Sequence, residues 1–220
     1  GLMLKNPVIV TIACIEFCSG FLRQAIMQWY RTFAKQTDAV LGLKGDFVYD
    51  NWGMLLCCAG IMGGVFAGVL SDRVFQSRRG PVAAILYAVM IALSIVLVFT
   101  FETSAVGWVV VFMSMSVIGV HGMLSGTASM DFGGRKNVGV AVGIIDGFVY
   151  AGTAVMAITY GAILPEQELN EANEIVGPAT DPANWTAWPI AMVPLAVLGF
   201  LFALKLWHAK PKPKQKTAEA

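Results

Sequence analysis

The sequence predicts an all-α membrane protein built from six transmembrane helices. Of the 220 residues, 57% are hydrophobic and 13% are charged, whereas a soluble domain carries charge on about 25% of its residues. The apolar residues fall into six long runs, each near the ~20 residues that a helix needs to cross a bilayer. Six such runs in succession argue against the alternative, a large soluble protein with buried helices.

The predicted helices are delimited by charged residues, proline or glycine. The first begins at Pro7, a residue type that suits the first turn of a helix, and the third begins at the Gly80-Pro81 step. The tryptophans lie near the ends of the runs, where amphipathic rings prefer the headgroup level of a bilayer. The predicted spans are residues 7–30, 52–70, 81–101, 106–130, 138–164 and 187–207.

The basic residues predict the orientation of the helices, because cytoplasmic loops are enriched in Lys and Arg. If the first helix starts in the cytoplasm, eleven of the fifteen Lys and Arg residues lie on that side. Both ends of the chain are therefore predicted to be cytoplasmic, and residues 210–220 are predicted to form a disordered basic tail. Because the chain starts at Gly1 without an initiator Met, we expect a piece of a longer multi-pass protein of the cell membrane, in bacteria the inner membrane.

Glu16 and Arg23 are ionisable residues inside the first predicted helix. Such side chains are costly at membrane depth unless they are paired or face water, so they indicate a functional site. At about 100° per residue, seven positions return to nearly the same helix face, about 10 Å further along the axis. A guanidinium that faces a polar cavity binds phosphate or carboxylate through two parallel hydrogen bonds. We therefore predict that Arg23 binds an anionic substrate; its alternative role is a structural partner of Glu16 or Asp146.

Other polar residues within the apolar runs are candidates for the same cavity. Gln24 and Gln28 flank the turn of Arg23 and could bond substrate hydroxyls. His121 could exchange a proton near neutral pH or serve as a hydrogen-bonded interhelical residue. Asp146 could be a proton site, a gating partner for a basic group, or a residue reached by cytoplasmic water.

Glycines recur at every fourth position in the second and fifth predicted helices. Small residues at this spacing allow helix backbones to approach closely. The pattern predicts close packing at Gly60, Gly64 and Gly68 and at Gly139, Gly143 and Gly147.

The loop after the second helix is rich in charge, with Asp72, Arg73, Arg78 and Arg79 in succession. A carboxylate at a helix end, next to a turn with several guanidinium groups, can form charge-assisted hydrogen bonds between neighbouring helices. Such a contact could form in one conformation and break in another, which is a two-state element. The alternative is a loop that only sets topology and contacts anionic lipid.

Several classes of function are not expected. The four cysteines lie inside apolar runs, and no histidine or carboxylate spacing accompanies them as in a metal site. No nucleophile and base occur at a workable spacing, so the chain is not expected to be an enzyme or to bind a cofactor. No basic run with interleaved aromatic residues suggests nucleic acid as a partner. The expected partners are the lipid bilayer and a small anion.

Three segments resemble the major facilitator superfamily and, within it, the organophosphate:phosphate antiporters. The Asp72-Arg73 loop, with Phe75 and Arg79-Gly80, resembles the superfamily loop in the second half of these carriers. The first helix is similar to their seventh helix, and residues 139–153 are similar to their eleventh. The matching residues are Phe21, Leu22, Arg23, Ile26 and Trp29 in the first helix, then the basic pair Arg135 and Lys136, and Gly143, Gly147, Tyr150 and Gly152 in the fifth.

The resemblance implies that the chain is the C-terminal half of a twelve-helix carrier that exchanges glycerol 3-phosphate or a sugar phosphate for inorganic phosphate. It implies that Arg23 holds the phosphate, that Tyr150 lines the pocket, and that His121 lies near a pocket position. The N-terminal six-helix half would supply a second basic residue, and the site between the halves would open to each side in turn.

The sequence also departs from the family pattern. Gly20 and Gln24 stand where glycerol-3-phosphate carriers have tyrosines, and Cys57 stands where they have a glutamate. Glu16 and Asp146 are carboxylates outside the pattern. Two alternatives therefore stay open: a proton-coupled carrier of an organic anion that uses Glu16, Asp146 or His121, and a transporter-like sensor of sugar phosphate.

Overall fold

The computed structural model describes residues 5–133 and 137–209. Within these ranges, six helical segments are long and apolar enough to cross a membrane, which confirms the predicted fold class. The helices are α1 (Pro7–Met27), α2 (Trp29–Gln36), α3 (Asp38–Leu41), α4 (Phe47–Asp50), α5 (Trp52–Val69), α6 (Arg79–Thr100), α7 (Val106–His121), α8 (Ser129–Gly133), α9 (Val138–Ile163) and α10 (Ala187–Lys205). The predicted basic tail, residues 210–220, lies outside the described residues.

Two spans contain π-helical segments, which the sequence analysis did not anticipate. One follows α5 at Leu70–Val74, and the other joins α7 to α8 at Gly122–Ala128. Between α9 and α10 lie a short antiparallel hairpin, β1 (Glu168–Leu169) with β2 (Ile175–Val176), and two 3₁₀ turns at Pro178–Thr180 and Pro182–Trp185. We call the end of the bundle that carries residues 70–79 the motif end, and the opposite end the hairpin end.

The first span is longer than the predicted residues 7–30. Asn6 caps its start, because the side chain accepts a hydrogen bond from the backbone N–H of Val8 at 3.0 Å, and Pro7 occupies the first turn. At the hairpin end, α1 is followed after Gln28 by α2, so the apolar helical segment extends from Pro7 to Gln36. The helix therefore reaches from the motif end to the aromatic packing at the hairpin end.

Helix α1 lies at the centre of the bundle, where it packs against α7, α9 and α10. Glycines allow the closest approaches: a Cβ at Gly152 of α9 would collide with the carbonyl oxygen of Phe17, and one at Gly63 of α5 with that of Met115. Both contacts bring one helix backbone against another, as small residues permit between membrane helices.

The predicted glycine rows are not the ones that make these contacts. A Cβ at Gly139, Gly143 or Gly147 would meet nothing within 4 Å in the described part of the chain, and the same holds for Gly64 and Gly68. The prediction of close packing at these positions is wrong within this bundle. Because α5 and α9 are also largely exposed along their lengths, both helices offer glycine-lined surfaces that the described residues do not cover.

An aromatic cluster ties the hairpin end together. Its ring centroids lie 5.2–6.2 Å apart, in tilted or edge-to-face arrangements that aromatic pairs prefer. The Trp188 indole N–H donates to the Ala25 carbonyl at 2.9 Å, and the Tyr160 hydroxyl donates to the Trp188 carbonyl at 2.8 Å. The aromatic cluster comprises Phe21, Trp29, Phe33, Tyr160, Trp185 and Trp188.

Candidate functional site

Helix α1 carries the predicted anion-binding residue. Arg23 is half-buried inside the first span, and its Nε is buried without a hydrogen-bond partner in the described ranges. Gln24 beside it is also half-buried, and Gln28 is exposed. In the part of the chain that the structure describes, no ion pair joins Arg23 to Glu16 or Asp146. The Arg23 guanidinium therefore does not form an ion pair with either of the two carboxylates that the sequence analysis gave as alternative partners.

Glu16 instead pairs with His121, which lies 105 positions later in the sequence. Glu16 is fully buried, and its Oε2 lies 2.8 Å from Nδ1 of His121, the last residue of α7. The side chain of His121 is 24% exposed. The second carboxylate oxygen, Oε1, is buried and has no hydrogen-bond partner within residues 5–133 and 137–209. The structure thus joins two predicted site residues in one contact between α1 and α7.

Asp146 forms a second polar contact beside this one. The Ser125 hydroxyl donates to Oδ1 of Asp146 at 2.5 Å, and Asp146 is half-buried on α9. Ser125 belongs to the π-helical segment Gly122–Ala128, which begins directly after His121. Because π turns widen a helix and occur often at functional sites, this segment marks the neighbouring polar groups as candidates for function. Sequence reasoning singled out Asp146 and missed Ser125.

Tyr150 lies apart from these contacts. It points away from the bundle on α9 with 69% of its surface exposed. One turn before Arg23, α1 has a glycine, Gly20. A Cβ at this position would collide with the Val149 carbonyl oxygen of α9, so no side chain fits there. The close contact of α1 and α9 thus excludes the tyrosine that the family pattern has at this position. Cys57, the other departure, is exposed on α5.

Charged residues at the motif end form a cluster around Arg79. Nη1 of Arg79 lies 3.0 Å from Oδ1 of Asp72 and 2.7 Å from the Ser71 hydroxyl, and its Nε lies 3.3 Å from Oδ2 of Asp131. Arg79 is buried, whereas the Asp72 side chain is 59% exposed. We call Ser71, Asp72, Arg79 and Asp131 the Arg79 cluster. It joins the end of the second span, the start of α6 and helix α8.

The Arg79 cluster contains two of the four predicted loop residues. Arg73 is exposed, and the Arg78 side chain donates to the Phe75 carbonyl at 3.2 Å. Asp131 was not predicted, although a carboxylate near the end of the fourth helix, on the same predicted side as the loop, was a usable signal. Arg135 and Lys136, the predicted basic pair, lie outside the described residues.

In the part of the chain that the structure describes, the site therefore combines a cation without an ion-pair partner, two polar contacts inside the bundle and one ionic cluster at its end. In the described ranges, no group of three His, Cys, Asp or Glu side chains is placed to hold a metal ion. The arrangement can attract an anion, because a guanidinium group lies within the apolar spans.

Comparison with known proteins supports the resemblance on which part of this interpretation depends. The chain is 26% identical over 220 residues to a probable hexose phosphate transport protein of Chlamydia pneumoniae, an alignment that covers 98% of this chain and 44% of the relative. It is 28% identical over 213 residues to a glycerol-3-phosphate transporter of Bacillus subtilis, which covers 94% of this chain and 42% of the relative. A probable hexose phosphate transport protein of Chlamydia muridarum is 21% identical over 218 residues.

The relatives confirm the similarity to organophosphate transporters, which are transport proteins and not enzymes. The chain spans less than half the length of the curated relatives that it matches. No protein-family model matches the chain. No solved structure matches it at a significant level.

Proposed function

We propose that the chain is the C-terminal half of a secondary transporter that carries an organic phosphate, such as a hexose phosphate or glycerol 3-phosphate, in exchange for inorganic phosphate. The observation that carries this proposal is Arg23, a half-buried guanidinium inside a membrane span, whose buried Nε has no hydrogen-bond partner among the described residues. The names of the relatives, which cover nearly the whole chain, support the substrate class.

The position of Arg23 suits the binding of a phosphate group. A guanidinium presents two parallel N–H groups that match two oxygens of a phosphate. Charge attraction is stronger within an apolar bundle than in water, because the surroundings screen it less. Gln24 and Gln28 lie within one and two turns of Arg23, and Tyr150 is exposed on α9. Their amide and hydroxyl groups would contact the organic part of the substrate.

A second half would complete the site. The uncovered surfaces of α5 and α9 carry Gly64, Gly139, Gly143 and Gly147, where a second set of helices could approach closely. Carriers built from two such halves bind substrate near the middle of the membrane, between the halves. The second half would supply another basic residue for the phosphate.

The Arg79 cluster would stabilise one of the two conformations that alternating access requires. Its ion pairs join three helix ends at the motif end, which the distribution of Lys and Arg predicts to be cytoplasmic together with both chain ends. Movement of α8 away from α6 would separate Asp131 from Arg79, and water would solvate both groups.

The test is phosphate counterflow into proteoliposomes that contain the full-length protein, with Arg23→Lys compared with wild type. Lysine keeps the positive charge but loses the two parallel N–H groups. We expect exchange to fall about tenfold or more, which corresponds to ~1.4 kcal/mol. Arg31→Lys is the matched control, because Arg31 is exposed and stacks on the Tyr49 ring 4.8 Å away; its exchange should stay close to wild type.

Two results would contradict the proposal. Absence of phosphate exchange in the wild type would exclude the antiport function. Equal losses in Arg23→Lys and Arg31→Lys would show that the geometry of Arg23 is not specific to phosphate.

A further inference from the structure

A cavity of about 350 Å³ opens at the hairpin end of the bundle, where the first span ends. This volume lies at the lower end of the range for small-molecule pockets, about 300–1,000 Å³. We call the cavity the α2 pocket, because most of its residues belong to α2. It is lined by Arg31, Thr32, Lys35, Gln36, Tyr49 and Gln167.

The periodicity of α2 brings its polar residues to the pocket. Residues four positions apart are neighbours on a helix surface, so Arg31 lies one turn before Lys35, and Thr32 lies one turn before Gln36. The opposite face of α2 is apolar, and its Phe33 is fully buried in the aromatic cluster. The pocket is therefore walled by the polar face of an amphipathic helix.

Lys35 gives the pocket a positive charge that has no partner group among the described residues. Its side chain is exposed and forms no ion pair there. The neighbouring cation, Arg31, is engaged differently, because its guanidinium stacks on the Tyr49 ring 4.8 Å away. The carboxylate of Glu168 in β1 lies against Gly177 and is not within ion-pair distance of either cation. The ammonium group of Lys35 is thus available to an anion.

Gln36 provides a second, independent indication of a ligand. Only 6% of this residue is exposed, and its Oε1 is buried with no hydrogen-bond partner in residues 5–133 and 137–209. Its Nε2 lies 3.5 Å from Oε1 of Gln167, which is long for a hydrogen bond. A buried carbonyl oxygen without a donor costs stability, so its presence needs an explanation. A bound molecule with an O–H group would supply the missing donor.

The two groups together define the chemistry of the ligand. An ammonium group forms charge-assisted hydrogen bonds with phosphate, and an amide oxygen accepts a hydrogen bond from a hydroxyl. We propose that the α2 pocket is a second binding site, for a phosphate ester that carries a free hydroxyl. Lys35 binds the phosphate, and Oε1 of Gln36 accepts from the hydroxyl.

This site is separate from the one proposed at Arg23. Lys35 comes twelve positions after Arg23, about 18 Å further by helical rise. One small ester cannot contact both cations at that distance. Binding in the α2 pocket therefore does not depend on exchange of phosphate at Arg23.

Two sources offer this ligand chemistry at the hairpin end. One is a small phosphate ester dissolved in the water on that side, and the other is the headgroup of phosphatidylglycerol in the adjacent leaflet. Both carry a phosphate with neighbouring hydroxyls. Because the first span ends at Gln36, the pocket lies at the level of the lipid headgroups. Measurements with and without this lipid distinguish the two sources.

The test observes Lys35 directly in the full-length protein, in detergent without phospholipid. Reductive methylation with isotopically labelled formaldehyde gives each lysine an NMR signal and keeps its positive charge and one N–H group. The Lys35 signal is identified by its absence in Lys35→Gln. Glycerol 3-phosphate is added at mildly alkaline pH, where phosphate esters are dianions. We expect a saturable shift of the Lys35 signal and no comparable shift of Lys44, an exposed lysine between α3 and α4.

Gln36→Met tests the contact with the hydroxyl. We expect the half-saturating concentration of glycerol 3-phosphate to rise about fivefold, the usual effect of one lost hydrogen bond. Methyl phosphate has no hydroxyl as a dianion, so it should bind wild type and Gln36→Met equally. Thermal stability should not fall in Gln36→Met, because the lost oxygen has no partner in the described chain. Gln76→Met, the same change at an exposed site, should match wild type in every measurement.

Nanodiscs separate the two sources of the ligand. In discs of phosphatidylcholine, whose headgroup has no hydroxyl, the Lys35 signal should respond to glycerol 3-phosphate as it does in detergent. If phosphatidylglycerol occupies the pocket, discs of that lipid should show the shifted Lys35 signal from the start and no further response. The Lys44 signal is the reference for the general effect of a negatively charged surface.

The outcomes either support or overturn the proposal. A saturable response of Lys35 to either source, weakened in Gln36→Met, supports the site and identifies its ligand. Lys35 and Lys44 signals that move together in every condition would show unspecific attraction of anions and overturn it. An unchanged half-saturating concentration in Gln36→Met overturns it as well. The response should persist in Arg23→Lys; its loss there would assign the response to the site at Arg23 and not to the α2 pocket.

Discussion

The two ends of the bundle are held together by different forces. At the hairpin end, the aromatic cluster buries large rings between α1, α2, α9 and α10, and Trp185 and Trp188 are fully buried. At the motif end, the Arg79 cluster uses one buried guanidinium and two carboxylates, of which Asp72 is 59% exposed. The aromatic cluster is stable in only one packed arrangement. The Arg79 cluster can separate into ions that water solvates. Under the proposed function, this difference favours the motif end as the end that opens.

The physical basis of this difference is the cost of separation. Separating interlocked rings forfeits many dispersion contacts at once and leaves a void. Separating Arg79 from Asp72 and Asp131 exposes charges that water solvates, so the loss is partly recovered. Salt should therefore weaken the Arg79 cluster and leave the aromatic cluster unchanged.

Trp188→Ala should have the largest effect on stability. The change removes a fully buried ring, its tilted contact with the Phe33 ring at 5.2 Å between centroids, and its hydrogen bond to the Ala25 carbonyl. We expect the free energy of unfolding in mixed micelles to fall by about 3 kcal/mol, the usual cost of a large cavity. The loss should not depend on salt concentration.

Trp108→Ala is the matched control for this comparison, because 46% of Trp108 is exposed on α7. We expect a smaller loss of about 1 kcal/mol in the micelle, because Trp108 loses only its stacking on the Phe47 ring and the burial of one side. Similar losses for the two variants would mean that burial in the aromatic cluster is not what stabilises the hairpin end.

The sequence predicted only part of the Arg79 cluster and only part of the aromatic cluster. The spacing of Asp72 and Arg79 pointed to a charged loop between helix ends, but Asp131 lies 52 residues after Arg79 and its approach depends on how α8 packs. The tryptophans were predicted as headgroup anchors, yet Trp185 and Trp188 are fully buried. An aromatic residue near the end of an apolar run fits both roles, and only the packing of neighbouring helices distinguishes them.

The candidate site shows the same limit. Glu16, Arg23, His121 and Asp146 could be singled out because ionisable residues are rare in apolar runs. Their partners could not be assigned, since helical periodicity places Glu16 and Arg23 on nearly one face but does not say that α7 approaches Glu16. The prediction of close packing at the glycine rows was wrong for a related reason. The equal spacing of Gly139, Gly143 and Gly147 indicates a helix face without side chains, but it does not indicate which helix packs against that face.

Arg79→Ala should have an intermediate effect that depends on salt. It removes the bonds to Ser71, Asp72 and Asp131 and leaves the Asp131 side chain, only 23% exposed, without its cation. We expect a loss of about 2 kcal/mol at low ionic strength, less than for a fully buried ion pair because water reaches both carboxylates. The loss should shrink as salt is added.

Arg73→Ala serves as the control, since Arg73 is exposed in the same loop. Its effect should stay within about 0.5 kcal/mol. A salt-independent loss in Arg79→Ala would remove the distinction between the two ends.

Tyr160→Phe should have the smallest effect, and it separates two contributions within the aromatic cluster. The change keeps the ring, with its edge contacts to Phe21 and Trp29 at 5.6 Å, and removes only the hydroxyl that donates to the Trp188 carbonyl at 2.8 Å. We expect a loss of about 1 kcal/mol, the usual net worth of one hydrogen bond. Tyr150→Phe, at an exposed tyrosine, should leave stability unchanged. Because ring packing remains, Tyr160→Phe should cost about a third of Trp188→Ala; an equal cost would mean that hydrogen bonds, and not packed rings, hold the hairpin end closed.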